Sequence, residues 1–452
     1  MSSNNWLEVS VSKVADVILG GTPRRSEPRF WNGKIKWAAA KDIANCPTKY
    51  VRETEEKITR LGLQKSNAKL LPKGTIVITA RGTVGEIRVL GEPIAFNQTC
   101  YGLIPKNKII DGDFLYYALK NIFSKMKALS YGTVFETITT RTFDELTIPV
   151  PSLQEQRKIA EILSSLDDKI ELNYEMNKTL DAIAQAIFRN WFVDFEPFQD
   201  QLVYNEELDK KIPKGWEVVT IGDVVNLKKG VSYRSEDLTD KSDIGLVNLK
   251  CIVRGGGFRK EIKPYSGEFK QDNILQIGDV VVAITDLTRN KEIIGMPARI
   301  YPVGGFKLLV ASLDLVILNP KDEKCLKRGF LYYLLLTRDY WGYVNGCADG
   351  TTVLHLNPID ILNYKFVLPP EDWQTRFTKF ADIIFELQIH NFKETEILEK
   401  IRDTLLPKLL SGEIRVKIDV KKEFSEESKK LEEIKKEKAR VQKSILEWVD
   451  DA

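Results

Sequence analysis

The chain has 452 residues, of which 43% are hydrophobic and 29% are charged, and its formal net charge at pH 7 is +3. That length allows two or three domains, and no apolar run is long enough to cross a membrane, so we expect a soluble protein. The small net charge neither requires nor excludes nucleic acid as a partner. A DNA-binding surface would have to be a local concentration of positive charge.

Cysteine and histidine usage argues against two further classes of protein. The five cysteines are scattered without a CxxC pair, and the chain has only two histidines. This pattern supports neither a disulfide framework nor a zinc site. No signal peptide precedes Trp6, so we expect a reducing, cytoplasmic location. The cysteines are Cys46, Cys100, Cys251, Cys325 and Cys347.

Residues 1–152 are predicted to form a mixed α/β globule. The β-branched run from Thr75 to Thr79 follows a glycine and predicts a short strand, and the GTVG sequence that ends at Gly85 predicts a tight turn. FLYYALK, from Phe114 to Lys120, has the spacing of a core helix. Strands and helices do not alternate regularly, which argues against a doubly wound parallel sheet.

Residues 153–190 predict one long helix with an apolar seam at coiled-coil spacing. A second helix, residues 371–412, repeats the seam 218 residues later and is predicted to end near Pro407, with a glycine stop at Gly412. The first seam comprises Ile159, Leu166, Asn173, Leu180 and Ile187, with Leu163, Ile170 and Ile183 between them. The second comprises Phe377, Ile384, Asn391, Leu398 and Leu405, with Leu387 and Ile401 between them.

Asn173 and Asn391 lie at the middle of these seams and are interpreted as register-setting residues. A polar residue at a core position penalises every register in which it lacks a hydrogen-bonding partner. Antiparallel pairing would bring the two amides together, but parallel pairing would also match them. Two unrelated helices packed in separate cores remain a further possibility.

The chain between and after the helices also carries structural signals. Residues 191–215 contain Trp191, Phe192, Phe195 and Phe198, too apolar for a flexible tether, and predict a structured crossover. Residues 413–452 are rich in lysine and glutamate but keep apolar residues at three-and-four spacing, which predicts a helix. That tail could be a solvated appendage, or it could dock on the coiled coil or on a partner.

Residues 216–370 repeat the plan of the first globule. WLEVSVSKVADV at Trp6 resembles WEVVTIGDVVNL at Trp216, and FLYYALK at Phe114 resembles FLYYLLL at Phe330. The markers keep their order while their separation drifts by a few residues, as in a tandem duplication with loop insertions. The predicted fold class is α+β, with two mixed α/β domains in a pseudo-two-fold tandem repeat separated by two long helices.

Catalytic and cofactor motifs are missing. The chain contains no phosphate-binding GxxxxGK[ST], no glycine-rich turn of the Rossmann type and no acid-proline-proline-aromatic motif of amino-methyltransferases. Its two histidines, His355 and His390, have no cysteine nearby, so neither a catalytic triad nor a metal hydrolase is indicated. We therefore expect no active site, no metal and no cofactor in this chain.

The loops of both globules are basic and polar, which is compatible with DNA reading, although a solvated surface role is the more common one for any single residue. Arginine suits bidentate contact with guanine, and threonine and lysine can contact bases or phosphates. The candidate DNA-binding residues are Arg24, Arg25, Lys41, Arg81, Thr83, Arg141, Lys250, Arg254, Arg259, Thr285, Thr288, Arg289, Lys291 and His355.

Taken together, these motifs resemble the specificity (S) subunit of type I restriction-modification systems. The resemblance rests on PSLQEQRKIAEIL and LPPEDWQTRF at the helix starts, NWFVDFEP after the first helix, ITDLTR, GTTVLHLNP and LLPKLLSGEIRV. It covers nearly the whole chain up to about Val420.

The resemblance implies a non-catalytic reader of DNA. Two target-recognition domains would be separated by an antiparallel helix pair, and each would read one half of a split DNA sequence. Two adenine-N6 methyltransferase (M) subunits, which bind S-adenosylmethionine, would grip the helices, and ATP- and Mg-dependent restriction (R) subunits would join through them.

The predicted helix length fits this role. Ile159 to Ile187 spans 28 steps, or about 42 Å of helix, on the order of one turn of B-DNA, about 34–36 Å. A rigid spacer of that length would set the gap between two half-sites, and the differing loop sequences predict an asymmetric site. Two alternatives remain: a coiled-coil adaptor that binds only proteins, and a stand-alone DNA methyltransferase or endonuclease.

Overall fold

A computed structural model describes residues 6–129, 137–287, 292–350, 353–415 and 425–451. The chain divides into two compact units, and two long helices, α6 (Leu153–Phe192) and α11 (Glu371–Leu410), each contribute one part to each unit. The first unit comprises Met1–Met176 and Phe392–Ile434, and the second comprises Asn177–Asn391 and Lys435–Ala452.

The first unit carries a globule of short strands and helices. Its helices are α1 (Val11–Val14), α2 (Ala40–Ala44), α3 (Arg60–Gln64), α4 (Gly112–Leu129) and α5 (Thr140–Glu145). Its strands are β1 (Leu7–Ser10), β2 (Ala15–Leu19), β3 (Trp31–Ala38), β4 (Tyr50–Val51), β5 (Glu56–Ile58), β6 (Ile76–Thr79), β7 (Ile87–Leu90), β8 (Ala95–Phe96), β9 (Cys100–Pro105) and β10 (Thr147–Val150).

The core of this globule lies between a five-stranded sheet and α4. The sheet has the order β2-β9-β6-β7-β4, a three-stranded sheet has the order β5-β3-β8, and β1 pairs with β10. All four residues of β6, Ile-Val-Ile-Thr, are buried, because β-branched side chains pack well on the two covered faces of a central strand. Phe114 and Tyr117 of α4 are fully buried against the same core, as the helical spacing of FLYYALK predicts.

The second unit carries a second globule with more strands. Its helices are α7 (Ile221–Val224), α8 (Arg328–Leu335), α9 (Arg338–Cys347) and α10 (Pro358–Asn363). Its strands are β11 (Leu202–Asn205), β12 (Lys210–Pro213), β13 (Glu217–Thr220), β14 (Val225–Lys229), β15 (Ile244–Val247), β16 (Lys263–Pro264), β17 (Ile274–Leu275), β18 (Val280–Ala283), β19 (Thr285–Asp286), β20 (Pro297–Arg299), β21 (Leu308–Ala311), β22 (Leu315–Pro320), β23 (Leu354–His355) and β24 (Lys365–Leu368).

The second globule repeats the pairing pattern of the first. One four-stranded sheet has the order β14-β22-β18-β20 and another has the order β16-β15-β21-β17. The β13–β24 pair, with Glu217 beside Leu368, corresponds to the β1–β10 pair, with Leu7 beside Val150. The crossover contains a hairpin of β11 and β12. Phe195, which precedes this hairpin, is buried in a small apolar cluster.

In both units the two long helices run antiparallel, because contacts that advance along α6 move backwards along α11. The first unit uses the pairs Asp167 with Arg402 and Asn173 with Thr395, and the second uses Asn177 with Asn391 and Phe188 with Phe377.

The central asparagines make matching hydrogen bonds in the two units. Asn173 is almost fully buried and donates through Nδ2 to Thr395 Oγ1 at 3.3 Å. Asn391, 218 residues later, donates to Asn177 Oδ1 at 2.6 Å. Thr395 and Asn177 are themselves separated by 218 residues, so the repeat places a polar pair at the same level of each unit.

The heptad prediction is wrong for the end of α6. Ile183 is 45% exposed, whereas Ala184 and Phe188 are buried, and Leu180 and Ile187 are only partly buried. The helix here packs against α8 of the second globule as well as against α11. Its buried residues therefore follow the three-and-four spacing of an amphipathic helix rather than the heptad spacing of a coiled coil.

The sequence predicted that the second helix ends near Pro407, and α11 continues a little beyond this proline, to Leu410. Proline removes one backbone donor and disfavours a helix interior. The leucines on both sides, Leu406 and Leu409, are buried, and this burial offsets the local cost. Gly412 then adopts a positive φ of 69°, which glycine tolerates.

A further helix, α12 (Ser425–Asp451), packs against α11. In the first unit Leu431 packs against the core and Lys400 binds Glu427 at 3.0 Å. In the second unit Trp448 packs against Phe380, with ring centroids 4.4 Å apart, and its indole N–H donates to the Arg376 carbonyl at 2.9 Å. The described helix of the tail, α12, is therefore docked on α11.

Candidate nucleic-acid interface

One end of the five-stranded sheet in the first unit gathers most of the candidate residues of that unit. β9 begins there at Cys100, beside Thr79 at the end of β6, and β2 ends there at Leu19. β3 ends at the same place, because Asn97 donates its backbone N–H to the Ala38 carbonyl at 3.0 Å. We define the first loop end as residues 20–25, 39–41, 66–69, 80–85 and 97–99.

The second unit has an equivalent loop end. β22 begins there at Leu315, beside Ala283 at the end of β18, and β14 ends there at Lys229. Ser312 donates its backbone N–H to the Val247 carbonyl at 2.8 Å, which brings the end of β15 to the same place. We define the second loop end as residues 230–234, 248–250, 284–287, 312–314 and 353–355.

The two loop ends share a backbone frame. Ala80 donates to Thr99 at 2.7 Å, and Ile284 donates to Asp314 at 2.9 Å, so Arg81 and Thr285 follow equivalent positions. Lys41 lies three residues beyond Ala38, where β3 ends, and Lys250 lies three residues beyond Val247, where β15 ends. The frame therefore presents side chains at matched places in the two units.

The turn that follows β18 in the second unit is longer than the equivalent turn after β6 in the first. Gly85 closes the first turn on Thr79, and Gly295 closes the second on Ala283, so the second turn is six residues longer. Asp286 shapes the longer turn, because its buried carboxylate accepts hydrogen bonds from the backbone N–H groups of residues 293 and 294 at 2.7 and 3.0 Å. Thr288, Arg289 and Lys291, which the sequence assigned to DNA contact, lie outside the described residues.

Five of the predicted cations are held in ion pairs within the protein. Arg25 binds Glu56, with Nη2 2.8 Å from Oε2, and its guanidinium lies 4.0 Å over the ring of Trp31. The hydrogen bond that Arg25 donates to Glu56 raises the pKa of Arg25. A cation already paired and stacked has fewer donors to offer a nucleic acid. The remaining pairs are Lys41 with Glu55, Arg141 with Glu145, Arg254 with Glu292, and Arg259 with Glu261.

Other cations are exposed and make no ion pair among the described residues. In the first loop end these are Arg24, Lys69 and Arg81, and in the second the same holds for Lys250. Unpaired, exposed cations are the groups best placed to neutralise phosphates. Lys69 was missed by sequence reasoning, because only the fold brings the segment after α3 to this end of the sheet.

Thr285 and His355, far apart in sequence, face each other in the two-stranded ribbon of β19 and β23. Thr285 is 8% exposed, whereas the His355 side chain is exposed. A two-stranded ribbon is one of the elements that fit the major groove of DNA. Thr83 lies in the shorter turn of the first unit, where its carbonyl accepts a hydrogen bond from the Thr79 hydroxyl.

The first loop end contains a cleft of about 560 Å³. Its walls include Thr22, whose hydroxyl is hydrogen-bonded to the side chain of Gln98. A cleft with hydroxyl, amide and ammonium groups can bind a polar ligand. Its polar lining residues are Thr22, Ser66, Asn67, Lys69 and Gln98. The sequence pattern gave no signal for these residues, because they come from three separate segments.

The structure offers little for covalent or metal chemistry within the described residues. Burial raises the pKa of Cys100 to about 12 and that of Cys251 to about 11, so both thiols stay protonated at neutral pH. No group of three or more His, Cys, Asp or Glu side chains is arranged to hold a metal ion in the described ranges. Nor is any described helix both long and apolar enough to span a membrane.

Comparisons with known proteins give one consistent result. The family described as "Type I restriction modification DNA specificity domain" matches residues 3–182 and again residues 213–400, in tandem. The type I restriction enzyme MjaIX specificity subunit of Methanocaldococcus jannaschii is 32% identical over 421 residues, which are 91% of this chain and 94% of that protein.

Two further proteins are similar to this chain. The HindI specificity subunit of Haemophilus influenzae is 28% identical, and the match covers 69% of this chain and 79% of that protein. Among solved structures, the S subunit of the type I restriction-modification system of M. genitalium is 19% identical, with a TM-score of 0.48, over 90% of this chain and 97% of that chain.

Proposed function

The chain belongs to the family of type I restriction-modification specificity subunits, and from that premise we propose that each of its units reads one half of a bipartite DNA site. The observation that carries the proposal is the pair of loop ends, which share a backbone frame but present different side chains. Two readers of one plan with different side chains would recognise different half-sites, so the full site would be asymmetric.

Within this proposal the exposed cations and the ribbon have separate roles. Arg24, Lys69, Arg81 and Lys250 would contact phosphates and position each loop end on the duplex, since such contacts fix register without reading sequence. His355 and the segment around it would reach base edges. Thr288, Arg289 and Lys291, which lie outside the described residues, would add to this contact.

The helices would recruit the enzymes. The long helices and the docked α12 would present the surface to which two methyltransferase subunits, and through them restriction subunits, attach. The chain itself would perform no catalysis, and S-adenosylmethionine and ATP with Mg would be bound by those partners. Methylation of an adenine would require the partner to flip the base out of the stack. A protein acting on host DNA in this way would work in the cytoplasm.

DNA affinity of the assembled complex tests the proposal. The chain is co-purified with its methyltransferase subunit, and binding to duplex DNA is measured as a function of salt concentration. Contact with phosphates predicts that the affinity falls steeply with salt, and Arg81→Ala should reduce the slope by about one unit. Arg157→Ala is the matched control, because Arg157 is exposed near Gln156, which binds the Ile109 carbonyl beyond the far end of β9.

The outcomes separate the proposal from its main competitor. A coiled-coil adaptor that binds only proteins would show no salt-dependent DNA affinity in the same complex. Equal slopes for Arg81→Ala and Arg157→Ala would instead show that the complex binds DNA elsewhere than at the first loop end.

A further inference from the structure

A three-residue connection leads into β9 in the first unit and into β22 in the second. The two connections are held in the same way. In the first unit the connection comprises residues 97–99, and in the second it comprises residues 312–314. Gly20 donates its backbone N–H to the Cys100 carbonyl at 3.1 Å, and Gly230 donates to the Leu315 carbonyl at 3.2 Å. Each connection is therefore tied to the strand end beside it.

The same glycine also locks the connection sterically. A Cβ atom on Gly20 would lie 2.1 Å from the carbonyl oxygen of Asn97, and one on Gly230 would lie 2.0 Å from that of Ser312. Only glycine allows so close a backbone approach. The middle residue of each connection, Gln98 or Leu313, is thus presented from a backbone that is fixed by the same contacts in both units.

The two middle side chains differ in chemistry. Gln98 is exposed, bonds to Thr22 and lines the polar cleft beside Lys69. Leu313 is 46% exposed, and its backbone N–H donates to the Val231 carbonyl at 2.7 Å. A rigid backbone that carries an amide in one copy and an aliphatic side chain in the other is suited to discriminate between two ligands.

We propose that Gln98 and Leu313 are equivalent specificity-determining residues, with Gln98 reading an adenine in one half-site and Leu313 contacting the methyl group of a thymine in the other. This inference rests on the proposed function and names residues for it. A glutamine amide can bind N6 and N7 of adenine in a bidentate way, and an apolar side chain fits the thymine methyl group, both in the major groove. Lys69 beside Gln98 would hold the adjoining phosphate.

The test maps adenine methylation by single-molecule sequencing in a host that lacks other methyltransferases and expresses the chain with its methyltransferase partner. Wild-type protein should favour its own site over sites that differ at one base of one half-site. Gln98→Leu should lower this methylation preference about tenfold or more. Leu313→Gln should do the same in the other half-site. In each variant the untouched half-site should keep its sequence, which also shows that the chain has folded and assembled.

Matched controls use residues of the same type away from the loop ends. Gln154→Leu lies at the exposed start of α6, and Leu446→Gln lies on α12, where Leu446 is 66% exposed. Both should leave the motif unchanged. The inference is overturned if Gln98→Leu and Leu313→Gln also leave it unchanged, if either alters both half-sites together, or if methylation disappears without a change of preferred base. Methylation that does not depend on the wild-type chain at all would overturn the proposed function itself.

Discussion

The two parts of the helix pair are stabilised by different chemistry. In the first unit, Arg402 of α11 donates to Asp167 of α6 at 2.5 Å, and the hydroxyl of Tyr117 donates to the same carboxylate at 2.6 Å. In the second unit, the residues 218 positions away from Asp167 and Arg402 are Phe385 and Ala184, and both are buried. An ion pair in one copy is thus replaced by two uncharged side chains in the other.

The second unit builds its interior from aromatic rings instead. Phe188 of α6 lies 5.0 Å from Phe330, 5.2 Å from Phe377 and 5.1 Å from Phe192, measured between ring centroids. Aromatic clusters of this kind provide large apolar burial and specific ring geometry. A duplicated plan has kept the backbone and the antiparallel direction while the contacts inside it diverged.

The ion pair of the first unit requires the Asp167 carboxylate to stay ionised in a buried position. Burial alone would raise the pKa of Asp167, but the charges of Lys120 and Arg402 and the hydrogen bond from Tyr117 outweigh it and hold the pKa below its usual value. The carboxylate therefore stays charged inside the first unit. A buried ion pair contributes little net stability but penalises arrangements that separate its partners, whereas the aromatic cluster contributes through burial.

The largest expected effect comes from emptying the aromatic cluster. Phe188→Ala should destabilise the second unit by about 3–5 kcal/mol, because it removes a buried ring and leaves a cavity. Hydrogen exchange would show the loss of protection in the second unit. Leu406→Ala, the matched change 218 residues away, should cost about 2–4 kcal/mol in the first unit instead. Equal loss in both units from either variant would contradict the comparison.

Breaking the ion pair should cost somewhat less. Arg402→Met leaves the Asp167 carboxylate buried without its main partner and should destabilise the first unit by about 3 kcal/mol in urea unfolding. The double variant Asp167→Leu/Arg402→Met removes both charges and should recover at least half of that loss. A double variant no more stable than the single one would show that the pair contributes directly to stability.

Two buried glutamines make the same kind of contact in the two units. Gln156 accepts from the Asp111 N–H at 2.8 Å and donates to the Pro151 carbonyl at 2.9 Å. Gln374 accepts from the Lys327 N–H at 3.1 Å and donates to the Pro369 carbonyl at 2.8 Å.

Each glutamine joins the start of a long helix to its globule. The two should therefore contribute equally to the free energy of unfolding. Gln156→Leu and Gln374→Leu should each cost about 2 kcal/mol, since each leaves buried backbone groups unpaired. Amide exchange would place the first loss in the first unit and the second in the second unit. An exposed glutamine at the same helix start, Gln154→Leu, should have almost no effect, and a large difference between the two buried variants would contradict the matched roles.

The smallest expected effect is a pH dependence of the first unit. Burial, reinforced by the charge of Arg402, lowers the pKa of Lys120 to about 8 from its usual value of 10.5. Between these values the unfolded chain binds more protons than the folded one, so this lysine makes the first unit more stable as the pH rises from about 8 to 10.5.

Lys120→Met should abolish that rise, and the difference between the variant and the wild type isolates it from other titrating groups. The urea midpoints are compared at pH 7.5 and pH 10. The equivalent position in the second unit is Leu336, so Leu336→Met should leave the pH dependence unchanged. An identical pH dependence in Lys120→Met and the wild type would contradict the assignment.

The sequence predicts the repeat and the long helices well because both are encoded locally. Strand β6, the core helix α4 and the seam residues of α11 follow from short-range periodicity. It fails where a third element decides the packing. Ile183 fits the heptad but faces solvent, since α6 turns its other side to α8, and Asp167 reads as a surface residue until Arg402 and Tyr117 are brought to it.

The candidate interface could be predicted only in part for the same reason. A list of basic loop residues cannot show which cations are already paired inside the protein, and Arg25 and Arg81 look alike until Glu56 is found beside one of them. Gln98 belongs to a cleft assembled from three segments, so its position becomes visible only when the strand ends are brought together.

We propose that this chain chooses the DNA sequence through two independent units. To test this, its methyltransferase partner is expressed in a methylation-free host, with and without the chain, and N6-methyladenine is mapped by single-molecule sequencing. We expect methylation at one asymmetric motif of two short blocks around a fixed gap, which disappears when the chain is omitted. Methylation that is unchanged without the chain, or that follows a continuous motif, would contradict it.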